Sequence, residues 1–285
     1  MSAVEPKKTA QDFIGDAARL FEAQGLAYGM RDARRLMTAA LGIKSDHLTL
    51  YLREAVAPEA AEVFSKFCER RAAREPVSRI LEGRLFYGRW FKIGPEVLDP
   101  RPETEILVEQ ALKLPFHDLL DIGTGSGCIA VTLLAERSEA IALATDVSEG
   151  ALRVASVNAN AVSVSDRIQF SNSNWFEGVD GRFDLIVSNP PYIQASEMEG
   201  LEPEVLNGDP HIALTDFADG LTGYRHLAAN AQAHLNPGGR ILVEIGPTQA
   251  EDVVDLFLQA GLKTCSVYKD FDGRDRVVEA FGPNH

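Results

Sequence analysis

The spacing of apolar residues divides the chain into a helical first part and a second part in which strand and helix patterns alternate. From residue 13 to residue 21, apolar positions repeat with helical spacing, and Gly25 ends the segment. Three more helices are predicted, at 32–41, 47–52 and 58–73. We therefore predict a small helical bundle over residues 1–76, followed by a linker over residues 77–100. Within the linker, aromatic residues on both arms of 84–93 predict a β-hairpin.

The alternating part begins near residue 101. Strand patterns are predicted at 118–122, 140–145, 167–170, 183–188, 240–245, 263–268 and 275–281. A helix is predicted at 107–112, and further helices separate the earlier strands. Such alternation favours right-handed crossovers and a mostly parallel sheet covered on both faces, so the predicted fold class is α/β. The last two strands are joined too briefly for a crossover helix and should form an antiparallel hairpin.

A glycine-rich segment follows the first strand of this part. The apolar run that ends at Ile122 leads through five residues into the helical run 128–135. Glycines let the backbone approach a ligand closely, and the first N–H groups of the helix stay free to bind it. A dinucleotide-binding loop would need a glycine at its sixth position, where Cys128 stands, so the loop disfavours NAD and FAD. The context predicts that a nucleotide-like ligand binds to Gly123, Thr124, Gly125, Ser126 and Gly127.

Asp146 follows the apolar run 140–145. A carboxylate at the end of the second strand can accept hydrogen bonds from both hydroxyls of a ribose. Asp146 could instead cap the helix that begins near Ser148. Because the glycine loop is also present, we predict that Asp146 contacts the ribose.

Asn189, Pro190, Pro191 and Tyr192 follow the strand pattern 183–188. The Asn side chain supplies one carbonyl oxygen and the backbone of Pro190 a second, while Pro191 has no N–H to compete for them. Tyr192 offers a flat face to an amide or a base. Taken alone, Pro-Pro-Tyr is more typical of a turn that closes a strand. Together with the glycine loop, it predicts a site that methylates a planar N–H₂ group.

The order of these motifs resembles the S-adenosylmethionine-dependent methyltransferases that act on amide or exocyclic amino nitrogens. Over nearly its whole length, the chain is similar to the release factor glutamine N5-methyltransferases. Asn-Pro-Pro-Tyr is shared with DNA adenine methyltransferases, whereas Pro-Arg-Pro-Glu-Thr-Glu at 100–105 is particular to the release factor enzymes. The similarity also includes residues 75–76, 173–176, 208–210, 236–239, 244–246 and 273–276.

The resemblance implies a seven-stranded class I methyltransferase (Rossmann-like) sheet in residues 101–285, with the helical bundle as a substrate-recognition domain. It implies S-adenosyl-L-methionine as the cofactor, bound by the glycine loop, Asp146, Trp175 and Asn189. The implied reaction methylates the side-chain amide nitrogen (N5) of the glutamine in the Gly-Gly-Gln motif of peptide chain release factors. Asn189, Pro190 and Tyr192 would be catalytic, and Pro191 would join them in binding the substrate. For Trp175, a position in the core remains an alternative to one beside adenine.

Two positions depart from the family pattern. Asn174 stands where an acidic residue is common, and its carbonyl can accept from the adenine amino group with less charge. Asp209 stands where glutamate is usual, and its shorter side chain predicts that a supporting contact is lost.

Charge is distributed unevenly along the chain. Residues 1–84 contain 14 Lys and Arg against 12 Asp and Glu, near +2; the whole chain is −14, so residues 85–285 carry −16. An acidic catalytic part repels a phosphate backbone and disfavours the alternative of an adenine N6 methyltransferase acting on nucleic acid. A non-catalytic cofactor-binding module is a third possibility. The basic cluster Arg70, Arg71, Arg74 and Arg79 predicts either a solvated helix face or contact with an acidic partner.

The remaining composition predicts a cytoplasmic enzyme, and we expect it to be a monomer. The N-terminus lacks a hydrophobic signal core, and no apolar run approaches the roughly 18 residues of a membrane span. Neither the three cysteines nor the six histidines show metal-ligand spacing, so no metal is expected.

Overall fold

The computed structural model describes residues 8–282, apart from the side chain of Thr264. Residues 1–7 and 283–285, the outer ends of the two predicted domains, lie outside the described residues. Within the described chain, contacts define two compact units, one containing residues up to 82 together with 203–208, the other containing 83–202 and the residues from 209 onward. The predicted domain boundaries, at 76 and 100, remain predictions.

Helices form the first unit. They are α1 (Ala10–Ala23), α2 (Gly29–Ala40), α3 (Leu48–Tyr51) after a 3₁₀ turn at Ser45–His47, α4 (Pro58–Ala72) and α5 (Val77–Ile80). At the start of α1, the Thr9 hydroxyl accepts from the N–H of Asp12, whose carboxylate accepts from the N–H of Thr9. The apolar faces predicted from helical spacing meet in a core that includes Phe21, Leu36 and Phe64.

The second unit begins with the predicted hairpin, formed by β1 (Gly83–Phe86) and β2 (Arg89–Lys92). Left-handed backbone at Tyr87 and Gly88 makes the tight turn between its arms. Phe86 and Phe91 are buried in the main core with their rings 5.9 Å apart in an edge-to-face arrangement. The hairpin therefore packs as part of the second unit.

A seven-stranded sheet organises the second unit. Its strands are β3 (Asp118–Ile122), β4 (Ile141–Asp146), β5 (Ile168–Asn172), β6 (Phe183–Ser188), β7 (Leu235–Glu244), β8 (Lys263–Lys269) and β9 (Asp275–Phe281). The spatial order is β5-β4-β3-β6-β7-β9-β8. The first five are parallel, and β9 is antiparallel to β7 and β8. The predicted α/β fold with one reversed strand is confirmed.

One helix precedes the first strand of the sheet, and others follow along the chain. They are α6 (Thr104–Ala111), α7 (Cys128–Glu136), α8 (Glu149–Ala161), α9 (Pro203–Gly208), α10 (His211–Leu214), α11 (Thr222–His234) and α12 (Ala250–Gln259), with a 3₁₀ helix at Ala195–Gly200. The short helix α9 belongs to the first unit by its contacts. Among the described residues, no helix is both long and apolar enough to cross a membrane.

Two elements begin earlier than the sequence predicts. Strand β7 starts at Leu235 because the bend around Pro237 is a shift of register within the strand and not a turn before it: Leu235 pairs with Phe183, and pairing resumes between Arg240 and Leu185. Helix α6 starts at Thr104, whose N–H donates to the carbonyl of Arg101 at 3.1 Å. Because the first turn of α6 is polar, the spacing of apolar residues did not predict where the helix begins.

The basic cluster of the bundle is engaged inside the first unit. Arg71 is 7% exposed, and its Nε lies 2.9 Å from a carboxylate oxygen of Asp32. Arg71 and Arg74 both reach Glu204 of α9, at 3.4 and 3.2 Å. The prediction of a solvated helix face is therefore wrong for Arg71, because its charge is buried against two carboxylates.

Candidate functional site

A cavity of about 350 Å³ opens in the second unit at the carboxyl ends of the central parallel strands. Parallel strands bring their ends to one edge of a sheet, so the residues after β3, β4 and β6 meet there although they are far apart in sequence. Of the predicted site residues, the lining includes Gly123, Thr124, Gly125, Ser126, Asp146, Trp175, Asn189, Pro190 and Pro191. The lining does not include Gly127 or Tyr192.

The glycine loop combines open backbone with a buried support. Gly123 and Gly125 have φ of 73° and 55°, and a Cβ on either would meet no atom within 4 Å. At Gly127, with φ of 78°, a Cβ would lie 3.1 Å from the Cβ of Ala155, so this glycine allows α7 to approach α8. The first two glycines thus face open space, and the third serves packing.

Asp121 supports the glycine loop from inside the core. The Thr124 hydroxyl donates to Asp121 Oδ2 at 2.7 Å, while Oδ1 has no hydrogen-bond partner among the described residues. Complete burial raises the pKa of Asp121 to about 7. Sequence analysis did not assign Asp121 a role, because it reads as one polar residue within an apolar strand.

Asp146 ends β4 and lines the cavity, and its ribose contact stays a prediction. Its Oδ2 accepts from the N–H of Gly125 and its Oδ1 from the N–H of Ser148, both at 2.9 Å. The cap of α8 is Ser148, whose hydroxyl accepts from the N–H of Ala151, so the alternative role of Asp146 as helix cap is wrong. Burial raises the pKa of Asp146, and its hydrogen bonds from the backbone oppose that shift.

Trp175 forms one wall of the cavity. Its ring stacks on His226, with centroids 5.3 Å apart and planes within 7°. A Cβ on Gly223 would lie 2.7 Å from the Trp175 ring and 2.9 Å from Pro190, so this glycine of α11 lets both approach. The neighbouring Asn174 also lines the cavity, and its Nδ2 donates to Glu177 at 3.3 Å.

The Asn-Pro-Pro-Tyr segment leaves β6 at the centre of the sheet. Asn189 Nδ2 donates to the Thr104 hydroxyl at 3.3 Å. Among the described residues, no group donates a hydrogen bond to Asn189 Oδ1 or to the Pro190 carbonyl. Both oxygen atoms belong to residues that line the cavity, and both retain their capacity as acceptors.

Tyr192 is fixed at both ends. Its carbonyl accepts from Gln249 Nε2 at 3.0 Å, and its phenol lies 3.5 Å from Glu244 Oε1. Burial, reinforced by the charge of Glu244, raises the pKa of Tyr192, which keeps the phenol neutral. Gln249 also accepts from the N–H of Gly246 and donates to the carbonyl of Gly220. Sequence analysis missed Gln249, because nothing local marks it.

The segment at 100–105 is held by a carboxylate from a distant loop. Arg101 donates to Asp209 Oδ2 at 2.7 Å, and Asp209 Oδ1 accepts from the N–H of Asp99 at 3.2 Å. The expected loss of a contact at Asp209 is therefore not observed. Arg101 pairs with Asp209 rather than with a neighbouring glutamate, and Glu105 instead accepts from the N–H of Tyr87 in the hairpin turn.

The cysteine beside the glycine loop is buried. Burial raises the pKa of the Cys128 thiol to about 12, so it stays protonated beside the glycine loop. Within residues 8–282, no group of three or more His, Cys, Asp or Glu side chains could hold a metal ion.

The sheet order, the glycine loop and the acidic strand end define a class I methyltransferase fold. A Methyltransferase small domain model matches residues 98–205, and a PrmC N-terminal domain model matches residues 12–81. The solved structure of a methyltransferase from Pyrococcus furiosus superposes with a TM-score of 0.54 at 22% identity, covering 70% of this chain and 91% of that one.

Two similar proteins show which family of methyltransferases the chain belongs to. A release factor glutamine methyltransferase from Cereibacter sphaeroides is 51% identical over 95% of this chain and 98% of its own length. One from Rhodospirillum rubrum is 44% identical over 90% of this chain and 80% of its own length. The chain belongs to the release factor glutamine methyltransferase family.

Proposed function

We propose that this chain transfers the methyl group of S-adenosyl-L-methionine to the side-chain amide nitrogen (N5) of the glutamine in the Gly-Gly-Gln motif of peptide chain release factors. Similarity to relatives over nearly the whole chain supports both the reaction and the substrate. In the structure, the observation that carries the proposal is the pair of acceptors beside the cavity, Asn189 Oδ1 and the Pro190 carbonyl.

The lining residues fit S-adenosyl-L-methionine. A Cβ on Gly123 or Gly125 would project into open space, so backbone there can border a ligand. Each oxygen of Asp146 accepts one backbone N–H and retains capacity for a ribose hydroxyl. Trp175 supplies an apolar surface for adenine. When bound, the cofactor supplies a methyl group made electrophilic by its sulfonium.

The acceptor pair addresses the main difficulty of the reaction. An amide nitrogen is a poor nucleophile, because its lone pair is delocalised into the carbonyl. Asn189 Oδ1 and the Pro190 carbonyl accept the two amide hydrogens, which orients the nitrogen and favours the positive charge that develops on it. Tyr192 lies outside the lining of the cavity without substrate, and we assign it the orienting of the amide plane once the substrate is bound. Pro191 keeps the segment stiff. The methylated nitrogen is acidic enough to release its proton to water.

The proposal also assigns roles to the helical bundle and the hairpin, and it includes the oligomeric state and the location of the enzyme. The helical bundle over residues 1–76 acts as the substrate-recognition domain, and the hairpin in 77–100 connects it to the methyltransferase domain. The enzyme acts as a monomer in this proposal. It works in the cytoplasm, where release factors act, and does not use nucleic acid, because the catalytic part is strongly acidic.

A substrate panel tests the function. The purified chain would be incubated with methyl-labelled S-adenosyl-L-methionine and, separately, a release factor, its Gly-Gly-Gln to Gly-Gly-Ala variant, and DNA. We expect label on the unaltered release factor alone. Asn189→Ala should lower the rate by about a hundredfold or more, because one oriented hydrogen bond in the transition state is lost. Asn160→Ala, on an exposed face of α8, is the matched control and should keep the rate.

Each other result selects a different function. Label on DNA and not on release factor would establish the adenine N6 alternative. Cofactor binding without label on any substrate would indicate a non-catalytic module. Wild-type activity of Asn189→Ala would contradict the role of the acceptor pair even if the release factor is the substrate.

A further inference from the structure

The Asn189 side chain has two ends of opposite polarity, and the proposed reaction needs its oxygen toward the substrate. A flipped amide would present Nδ2 to the glutamine N–H₂ group, so two donors would meet and one hydrogen bond would be lost. The two orientations have nearly the same shape, so packing does not distinguish them. The orientation must be set by whatever touches the other end of the amide.

Thr104 contacts that other end. It is the first residue of α6 and only 2% exposed, and its hydroxyl lies 3.3 Å from Asn189 Nδ2. The contact alone does not fix the amide, because a hydroxyl both donates and accepts. The Thr104 hydroxyl could accept from Asn189 Nδ2, or it could donate to Asn189 Oδ1 if the side chain were flipped. The destination of the single Thr104 proton therefore decides the orientation of Asn189.

Glu244 provides that destination. It ends β7, the neighbour of β6, and is completely buried. Its Oε2 has no hydrogen-bond partner among the described residues, which leaves a buried acceptor there, and the Tyr192 phenol is 3.5 Å from Oε1. Burial raises the pKa of Glu244 to about 7, and the nearby Thr104 hydroxyl is the strongest influence in the opposite direction. An ionised carboxylate only accepts, so it attracts the Thr104 proton.

We propose that Thr104 and Glu244 are positioning residues, which hold the Asn189 carbonyl toward the glutamine amide through a chain running from Asn189 Nδ2 to the Thr104 hydroxyl and on to the Glu244 carboxylate. The inference rests on the proposed function and deepens it. Thr104 and Glu244 act through Asn189 and need no contact with the substrate.

The hydrogen-bond chain should depend on the protonation state of Glu244. A protonated carboxyl can donate to Thr104, which can then donate to Asn189 Oδ1 and reverse the amide. The other groups acting on Glu244 are the guanidinium of Arg276, which favours its ionised form, and the carboxylate of Glu103, which opposes it. The Tyr192 phenol approaches from the end of β6, the Tyr224 hydroxyl donates to the Glu244 carbonyl, and the buried Cys128 thiol is neutral.

Thr104→Val tests the proposal, because it removes the hydroxyl at nearly constant volume. We expect kcat to fall about tenfold to a hundredfold, the usual effect of losing a buried hydrogen bond, with KM for release factor and cofactor affinity changed less than about twofold. Thr104→Ser should restore most of kcat. The matched control is Thr132→Val in α7, which removes a fully buried hydroxyl that has no hydrogen-bond partner among residues 8–282 and should leave kcat unchanged.

Glu244→Gln adds a pH readout that a merely structural role would not give. In the wild type, kcat should rise with pH through about 7 as Glu244 ionises. The variant should have a lower kcat without that step. A wild-type kcat in Thr104→Val, or an unchanged pH step in Glu244→Gln, would overturn the positioning roles while leaving the proposed function intact.

A measurement without turnover separates the two proposals. The side-chain amide protons of Asn189 can be followed by nitrogen-15 NMR. Their signals should move in Thr104→Val and with pH through about 7, and should stay in place in Thr132→Val. Unchanged signals in Thr104→Val would refute the hydrogen-bond chain whatever the enzyme methylates. Absence of label on release factor would instead refute the proposed function.

Discussion

At the scale of single residues, Asp146 combines two tasks in one carboxylate. Each oxygen accepts a backbone N–H, one from the glycine loop and one from the start of the next helix. These contacts fix the carboxylate at the cavity without consuming all of its acceptor capacity. Under the proposed function, ligand binding and loop geometry would be coupled through the same side chain.

Asp146→Asn should weaken cofactor binding. The substitution replaces one acceptor oxygen with an N–H₂ group, so a ribose contact and a backbone contact are both impaired. We expect the Kd for S-adenosylhomocysteine, measured by isothermal titration calorimetry, to rise about tenfold to a hundredfold. Asp184→Asn is the matched control: Asp184 accepts from the N–H groups of His117 and Asp118 at the opposite end of the sheet. Equal affinities for both variants and the wild type would contradict the ribose role.

The sequence predicted individual site residues better than the partners that support them. The glycine loop, Asp146 and the Asn-Pro-Pro-Tyr segment carry local patterns with a chemical meaning. Thr104, Glu244 and Gln249 do not, because their contacts with the motif span 52 to 85 positions and arise when the strands are placed side by side. Two of them lie in segments that carried the family resemblance, yet resemblance alone gave them no role.

At the scale of elements, the loop before α11 packs against the Asn-Pro-Pro-Tyr segment. The carboxylate of Asp216 accepts from the N–H groups of Ala218, Gly220 and Thr222, which gives the loop its shape. Gly220 has φ of 76°, and a Cβ there would lie 2.4 Å from the carbonyl oxygen of Tyr192. The segment after the two prolines therefore depends on the absence of a side chain at Gly220.

Gly220→Ala should reduce both stability and activity. Left-handed backbone costs a non-glycine residue about 1 kcal/mol, and the new Cβ must also displace Tyr192. Gly238→Ala is the matched control, because Gly238 has φ of 80° with no atom within 4 Å of its Cβ position. By denaturant unfolding we expect the control to lose about 1 kcal/mol and Gly220→Ala more. In the methyl-transfer assay, only Gly220→Ala should lower kcat, by about tenfold; equal kcat in both would contradict a role for this packing.

Strand positions were predictable from sequence because central parallel strands are continuous apolar runs. The predicted strand 118–122 coincides with β3, and 183–188 coincides with β6. The start of β7 was not predictable, since Pro237 and the glycines after it are as typical of a turn as of a shift of register. Only pairing with β6 distinguishes the two.

At the scale of the whole molecule, the first and second parts of the chain differ in charge. The strongly acidic second part contains the cavity and favours a protein substrate over a polyanion. In the first unit, Arg70, Arg71 and Arg74 pair with carboxylates of the same unit. Arg71 and Arg74 both reach Glu204 and so join the bundle to α9. Recognition of a release factor by the bundle should therefore use other residues.

The most direct test of the central claim is a structure of the full-length enzyme with S-adenosylhomocysteine and a release factor. Our account predicts that the glutamine amide nitrogen lies within about 3.2 Å of both Asn189 Oδ1 and the Pro190 carbonyl oxygen, the usual range for such hydrogen bonds. The ribose hydroxyls should contact Asp146. A glutamine bound elsewhere, or acceptor oxygens turned away from its amide, would contradict the account.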